Sequence, residues 1–223
     1  MLTFSTSIDA CIANGKSLLE DADLLYGFER PSTALAIAVL AQEEFAKAFT
    51  LSLVHEGILP WVPPVRRALN SHECKHLVAL IMEWLAPPWE EVCERIKKDL
   101  HAPPLELLPA EISDAVNILR HEKVERFHRG YADKEPEWTG LARKIAEGLR
   151  DREKQRALYV GIAESGWIGS TPGQVQPEAA EVEIKRAKRL LECVEDVRHD
   201  RLLSLREFEF TKEILRAVFQ GLE

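Results

Sequence analysis

One segment, residues 32–54, is apolar on almost every side of a helix, and this limits the folds that the chain can adopt. A helix that is hydrophobic all round lies inside a core rather than on a surface. Its middle nevertheless carries Gln42, Glu43, Glu44 and Lys47, and carboxylates are almost never fully buried unless they are paired. The spacing allows Lys47 to pair with Glu43 or with Glu44. The segment therefore predicts a central helix whose charges form either a structural ion pair or the polar floor of a site.

Composition describes a globular protein. The chain has 223 residues, of which 46% are hydrophobic and 30% charged, enough for one domain with a sizeable core. It has no apolar run long enough to span a membrane and no basic, apolar leader at its start, so we expect a cytoplasmic protein without membrane association. The four cysteines show no Cys-x-x-Cys spacing, which predicts reduced, mostly buried thiols rather than a zinc ribbon or a redox motif.

Charge is unevenly distributed. The net charge of −8 argues against general binding to polyanions. Residues 120–156 are the exception, because they hold more Lys and Arg than Asp and Glu. If the chain contacts nucleic acid, this middle segment is the expected place, although a solvated helix of mixed charge has the same pattern.

Helical periodicity dominates the chain. Helices are predicted at about residues 7–26, 32–56, 65–86, 89–101, 110–131, 141–156, 178–200 and 203–220, with Ser32 capping the second and a loop at 133–140. Residues 157–168 contain two short β-prone runs around Glu164-Ser165-Gly166, which predicts a hairpin. We therefore expect an all-α bundle of six to eight helices with one small β-hairpin. It would form a single domain over residues 1–223, with its core at about 5–86 and 178–221 and a charged middle subregion at about 89–177.

Residues 72–76, His-Glu-Cys-Lys-His, match the His-Glu-x-x-His pattern of zinc metalloproteases. On a helix, His72 and His76 share one face and could bind zinc while Glu73 polarises a water molecule. The charged Lys75 between them would repel a metal ion, and no third ligand is indicated. This pattern is kept as a remote alternative, and the favoured prediction is a site without a metal or other cofactor.

His72 also follows Arg67 and Arg66 at the spacing Arg-x4-His and Arg-x5-His, which is found in ribonucleases of the HEPN superfamily. Histidine can act as acid or base on a ribose hydroxyl, and arginine can stabilise the phosphorane charge without a metal. Arg95 and His101 fit the same pattern, so the spacing alone has little specificity.

Three segments together resemble the AbiV family of bacterial abortive-infection proteins, which belongs with the HEPN-type helical domains. They are Leu35–Lys47, ending in Glu-Glu-x-x-Lys; His72–Lys75, a His-x-x-Lys element; and Arg156–Val160, followed by Gly166-Trp167 and Pro172. Gly161 stands where family members often carry an acidic residue after Leu-Tyr-Val.

The resemblance implies a HEPN-like helical bundle and an antiphage protein that arrests host growth. By analogy with HEPN nucleases it also implies a homodimer, RNA as a substrate, and a phage-encoded protein as the trigger. His72 would then be the general acid and base and Arg67, or Arg66, the phosphate-stabilising cation, while Glu44 and Lys47 set charge and orientation. The alternative is a helical interaction protein without catalysis, in which Glu43, Glu44 and Lys47 are a buried ion-pair network and His72 packs in the core.

Overall fold

The fold is taken from a computed structural model of the chain, which describes residues 4–85, 109–124 and 140–199. Within these ranges the chain forms eight α-helices and one antiparallel two-stranded sheet, which confirms the predicted all-α class with a small hairpin. The helices are α1 (Ser5–Gly27), α2 (Pro31–His55), α3 (Pro63–Ala68), α4 (His72–Leu85), α5 (Ala110–Asn117), α6 (Leu141–Ala146), α7 (Leu149–Leu158) and α8 (Pro177–Arg198). The remaining described elements are a π-helical segment (Ile118–Val124), the strands β1 (Gly161–Ile162) and β2 (Ile168–Ser170), and a 3-10 turn (Pro172–Gln174).

Helix α2 lies at the centre of the bundle, as its all-round apolar sequence predicts. It packs against α1, α8, α4 and α7, and most of its residues from Ala34 onward are buried. The hydroxyls of Thr50 and Ser52 donate to backbone carbonyls one turn earlier, so these polar groups are satisfied inside the core. On the α1 side the helices approach so closely that a Cβ at Gly15 would overlap the Phe45 ring. The core is therefore built around one helix, of which Ile37, Leu40, Glu44 and Lys47 form a narrow, partly exposed stripe.

Two predicted helix boundaries were wrong. Helix α2 begins at Pro31 and not with a Ser32 cap, because proline lacks an N–H and its fixed φ suits the first helical position. The helix predicted at residues 65–86 is two helices, α3 and α4, separated at Leu69–Ser71. Ser71 Oγ accepts a hydrogen bond from the backbone N–H of Cys74 at 3.2 Å, so Ser71 caps a new helix that starts at His72.

The prediction of one continuous helix at residues 141–156 was also wrong. It is interrupted at Gly148, whose left-handed φ of 86° ends α6 before α7 begins. Helix α7 then runs on through Leu158, so the hairpin starts later than predicted, at Gly161. Its turn is closed by the N–H of Ala163, which donates to the carbonyl of Trp167 at 2.8 Å.

Several predictions fall wholly or largely outside the described residues. These are the helices at 89–101 and 203–220, the loop at 133–140, the end of the helix at 110–131 and the Arg95–His101 pattern. The division into a bundle core and a charged middle subregion stays a prediction. Among the described residues, none of the helices is long and apolar enough to cross a membrane.

Candidate functional site

A buried carboxylate, Glu43, is held by side chains from two other helices. Its side chain is only 3% exposed. Lys75 of α4 donates to Oε2 at 2.5 Å, Lys154 of α7 donates to Oε1 at 2.9 Å, and His72 Nδ1 lies 2.7 Å from Oε2. The Nε2 of His76 lies 3.5 Å from Oε1. We call Glu43, His72, Lys75, His76 and Lys154 the Glu43 cluster.

Helix geometry explains how these groups meet. His72, Lys75 and His76 are at positions i, i+3 and i+4 of α4, so all three lie on the face that packs against α2. Lys154 comes from α7, and Asp151, one turn earlier on the same helix, accepts a second ion pair from it at 2.9 Å. Three helices that are far apart in sequence therefore converge on one carboxylate.

The ion pairs determine the charge states of the cluster. Burial raises the pKa of Glu43, but hydrogen bonds from Lys75 and Lys154 outweigh burial and lower it to about 2. Burial lowers the pKa of Lys154, but hydrogen bonds to Glu43 and Asp151 outweigh burial and leave it raised. A hydrogen bond from Lys154 lowers the pKa of Asp151. The carboxylates and Lys154 are consequently charged at neutral pH.

His76 behaves differently because it is deeply buried. Burial, together with the nearby cations of Lys154, Arg150 and Lys75, lowers its pKa to about 4, and Glu43 only partly opposes this shift. His76 is therefore neutral at neutral pH, and its buried Nε2 has no hydrogen-bond partner within the described part of the chain. His76 is thus a packing residue of the core.

His72 is the member of the cluster that solvent can reach, since 48% of its side chain is exposed. Its Nδ1 faces Glu43 and also lies 3.5 Å from Lys154 Nζ. An ionised carboxylate can only accept hydrogen bonds, so Nδ1 carries the proton, and the other ring nitrogen, Nε2, keeps its lone pair when the ring is neutral. A half-exposed imidazole fixed in this way can act as a general base.

The structure does not bring Glu44 and Lys47 to His72. These two residues pair with each other at 2.5 Å and lie beside Cys11 of α1, on a different side of α2 from the cluster. Of the two intrahelical pairs that the spacing allowed, only Glu44–Lys47 forms. Glu43 instead takes the place opposite His72 and Lys75. Catalytic roles for Glu44 and Lys47 stay predictions, now without a contact to His72 that would support them.

Arg66 and Arg67 lie exposed on α3, immediately before the cluster. The backbone N–H of Ser71 donates to the carbonyl of Arg67 at 3.2 Å, which ties the last turn of α3 to the start of α4. Arg67 is thus tied through its carbonyl to the residue immediately before His72. Its role as a phosphate-binding cation stays a prediction.

The His-Glu-x-x-His pattern does not form an open metal site. His72 and His76 both face Glu43, with Lys75 bonded to the same carboxylate between them. Glu73 turns away and accepts a hydrogen bond from Ser71 Oγ at 2.6 Å. Within the described ranges, His, Cys, Asp and Glu side chains form no group of three or more that could hold a metal ion.

A second buried network, which the sequence did not reveal, lies beside the cluster. Gln42 donates to the Glu183 carboxylate at 2.9 Å, and that carboxylate also binds Arg150 at 2.8 Å and Arg186 at 2.5 Å. Arg186 further contacts Glu83 of α4. Because Gln42 neighbours Glu43 and Arg150 lies one turn before Lys154, this network fixes α2 and α7 against α8. Within the basic run at residues 185–189, Arg186 points inward.

Acid sensitivity provides a test of the buried state of His76. Because the pKa of His76 is about 4 when folded and near 6.5 when unfolded, the unfolded chain binds an extra proton between these values and stability falls as pH is lowered through them. We expect the free energy of unfolding, measured in urea, to drop by about 2 kcal/mol from pH 7 to pH 5 through this residue. His76→Gln should remove that part of the pH dependence. An unchanged pH slope in His76→Gln would contradict a buried, neutral His76.

Comparison with known proteins gives one match. The HEPN-type family model described as AbiV matches residues 4–192, which include α1, α2, every residue of the Glu43 cluster and most of α8. None of the curated proteins and none of the solved structures matches the chain.

Proposed function

This chain belongs to the AbiV family of HEPN-type proteins, and from that premise we propose that it is an antiphage abortive-infection protein that cleaves RNA without a metal. The proposed catalytic centre is the Glu43 cluster, with His72 as the acid and base. One observation carries the proposal. His72 Nδ1 lies 2.7 Å from a buried, ionised carboxylate, while the ring itself is half exposed and can be reached by a substrate.

The chemistry requires a group that first accepts a proton and then returns it. His72 Nε2 would take the proton of a ribose 2′-hydroxyl as that oxygen bonds to the adjacent phosphorus. The bond from phosphorus to the 5′-oxygen then breaks, and the imidazolium gives the proton to that leaving oxygen. The products are a 2′,3′-cyclic phosphate and a free 5′-hydroxyl.

Glu43 would have two tasks in this step. It holds the imidazole in the tautomer with the proton on Nδ1, and it stabilises the positive charge that develops on the ring, as the carboxylate does in other carboxylate–histidine pairs. Lys75 and Lys154 neutralise Glu43, and Asp151 balances the additional positive charge. The pocket behind His72 is therefore close to neutral, so it would not repel a phosphate.

The cation that stabilises the transition state must come from outside this neutral pocket. Arg67 is the proposed source, because it is exposed and its carbonyl is bonded to Ser71, the residue before His72. Its guanidinium could bind two oxygens of the phosphorane at once.

A second candidate function, protein binding without catalysis, is favoured by a different observation. Glu43 already has three close partners in the folded chain, which is the arrangement of a buried structural ion-pair network. In that case the cluster would serve the fold and an exposed surface would serve the function.

RNA cleavage separates the two functions. Purified protein is incubated with total RNA in the presence of EDTA, and the ends of the products are identified. We expect cleavage that leaves 2′,3′-cyclic phosphates, together with growth arrest when the chain is expressed in bacteria. Growth arrest without cleavage under any condition, and retained in His72→Ala and Arg67→Ala, would favour the binding function instead.

A further inference from the structure

The hairpin and the residues leading into it expose a group of apolar side chains. These are Leu158, Tyr159, Val160, Ile162, Trp167 and Ile168, which we call the hairpin patch. Ile162 and Ile168 are cross-strand partners in the β1–β2 pair, so their side chains share one face of the ribbon. Single exposed apolar residues are ordinary, but a contiguous group of them marks an interaction surface.

The chemistry of the patch limits what can bind there. Glu164 is the one charged residue between Ala157 and Gln176, whereas a stretch of this length at the chain's average composition would hold about six. Binding to RNA depends on cations that contact phosphates, and this stretch supplies none. An apolar surface almost free of charge instead fits another apolar surface, which indicates a protein partner.

The backbone of the hairpin is also open to a partner. The described residues pair β1 with β2 alone, so the outer edge of each strand is free of a third strand. Unpaired strand edges are templates for pairing with another chain. Across a two-fold axis, an edge strand meets its own copy in antiparallel orientation, so one contact satisfies the edges of both chains.

We propose that the hairpin patch binds the hairpin patch of a second copy of this chain. Two-fold pairing places the same surface on both sides, which requires self-complementarity, and an apolar patch with a single charge meets this requirement without like-charge repulsion. The six side chains expose on the order of 700 Å², close to the ~800 Å² per partner of a standard stable interface. The patch and the paired strand edges together would therefore approach the area of a stable dimer interface.

The position of this interface would place the second copy close to the Glu43 cluster. Helix α7 carries Lys154 and ends at Leu158, about 6 Å further along at 1.5 Å per residue, where the patch begins. After the hairpin, the turn Pro172–Gln174 contacts both α2 and α7. The hairpin is thus anchored at both ends to helices of the cluster. The interface does not depend on whether the cluster cleaves RNA.

Sedimentation equilibrium of the purified chain over a range of concentrations tests the interface. We expect the wild-type protein to be a dimer, and Trp167→Glu to raise the dissociation constant by about 30-fold or more, because a large aromatic at the centre of an interface is a typical hot spot. Trp167 is 78% exposed in the single chain, so its replacement should leave the fold intact. Circular dichroism and thermal melting check this, and Ile168→Lys provides a second variant with the same expected effect.

Phe28 offers a matched control, because it is an aromatic residue of nearly equal exposure, 76%, that follows α1 and lies outside the hairpin. Phe28→Glu should leave the dissociation constant unchanged. A wild-type chain that is monomeric at every concentration overturns the proposal, even if it binds RNA or another protein through the patch. A dimer that tolerates both hairpin variants overturns it as well.

Discussion

Replacing Glu43 with glutamine is expected to lower the free energy of unfolding by about 3–5 kcal/mol. The substitution keeps the size of the side chain but removes the charge that two buried lysines require. Lys75 and Lys154 would remain in the core as cations without their main counter-ion. Removing one partner of a buried ion pair is costly, because the remaining charge has lost both its water and its partner. Urea denaturation at neutral pH measures the change.

The neighbouring residue provides the control. Glu44→Gln is the same substitution one position later, but Glu44 and Lys47 are partly exposed, so we expect a loss below about 1 kcal/mol. Adding Lys75→Met to Glu43→Gln should recover part of the lost stability, because it removes one of the uncompensated cations. Equal losses for the two glutamine variants would mean that the cluster is not the buried charge centre described above.

His72→Ala is expected to slow RNA cleavage by about 10³-fold, within the range for loss of a general acid or base. The free energy of unfolding should change by less than about 1 kcal/mol, because the ring is half exposed and Glu43 keeps both lysines. Rate constants for a short RNA in EDTA, measured beside urea denaturation, separate the two effects. A large catalytic loss in a stable protein is the signature of a residue that acts on the substrate.

His55 makes a suitable comparison, since it is an exposed histidine at the end of α2 and away from the cluster. His55→Ala should cleave RNA at the wild-type rate. Arg67→Ala should lose about 10²-fold or more in rate through weaker stabilisation of the phosphorane. Cleavage that persists unchanged in His72→Ala would show that the activity belongs to another site or to a contaminating nuclease.

The sequence predicted the centre of the fold well but not the orientation of its charges. The all-round apolarity of α2 indicated a buried central helix, and this was confirmed. The same property hides its rotation, because a helix without a polar face does not indicate which of two adjacent carboxylates faces a given neighbour. Glu43 and Glu44 differ by about 100° around the helix axis. Only the packing of α4 and α7 decides that Glu43 is the one buried in the cluster.

Lys154 was missed for a related reason. Six of the ten residues of α7 are charged, so the helix has the composition of a solvated surface helix. Burial of one lysine in such a helix depends on what packs against it, and local periodicity does not contain that information. The break between α3 and α4 was missed because Asn70-Ser71 is a weaker stop signal than a proline or a glycine would be. Ser71 could have indicated it, since serine is a preferred N-cap.

The tautomer of His72 is the decisive property of the proposed site, because Glu43 can orient a general base only by accepting the Nδ1 proton. Long-range ¹H–¹⁵N correlation of the histidine rings by NMR, on wild-type protein with a neutral His72 ring, assigns that proton. The hydrogen bond at 2.7 Å predicts a protonated Nδ1 and an unprotonated Nε2 for His72. A ring with its proton on Nε2, or one that exchanges freely between both forms, would contradict the proposed site.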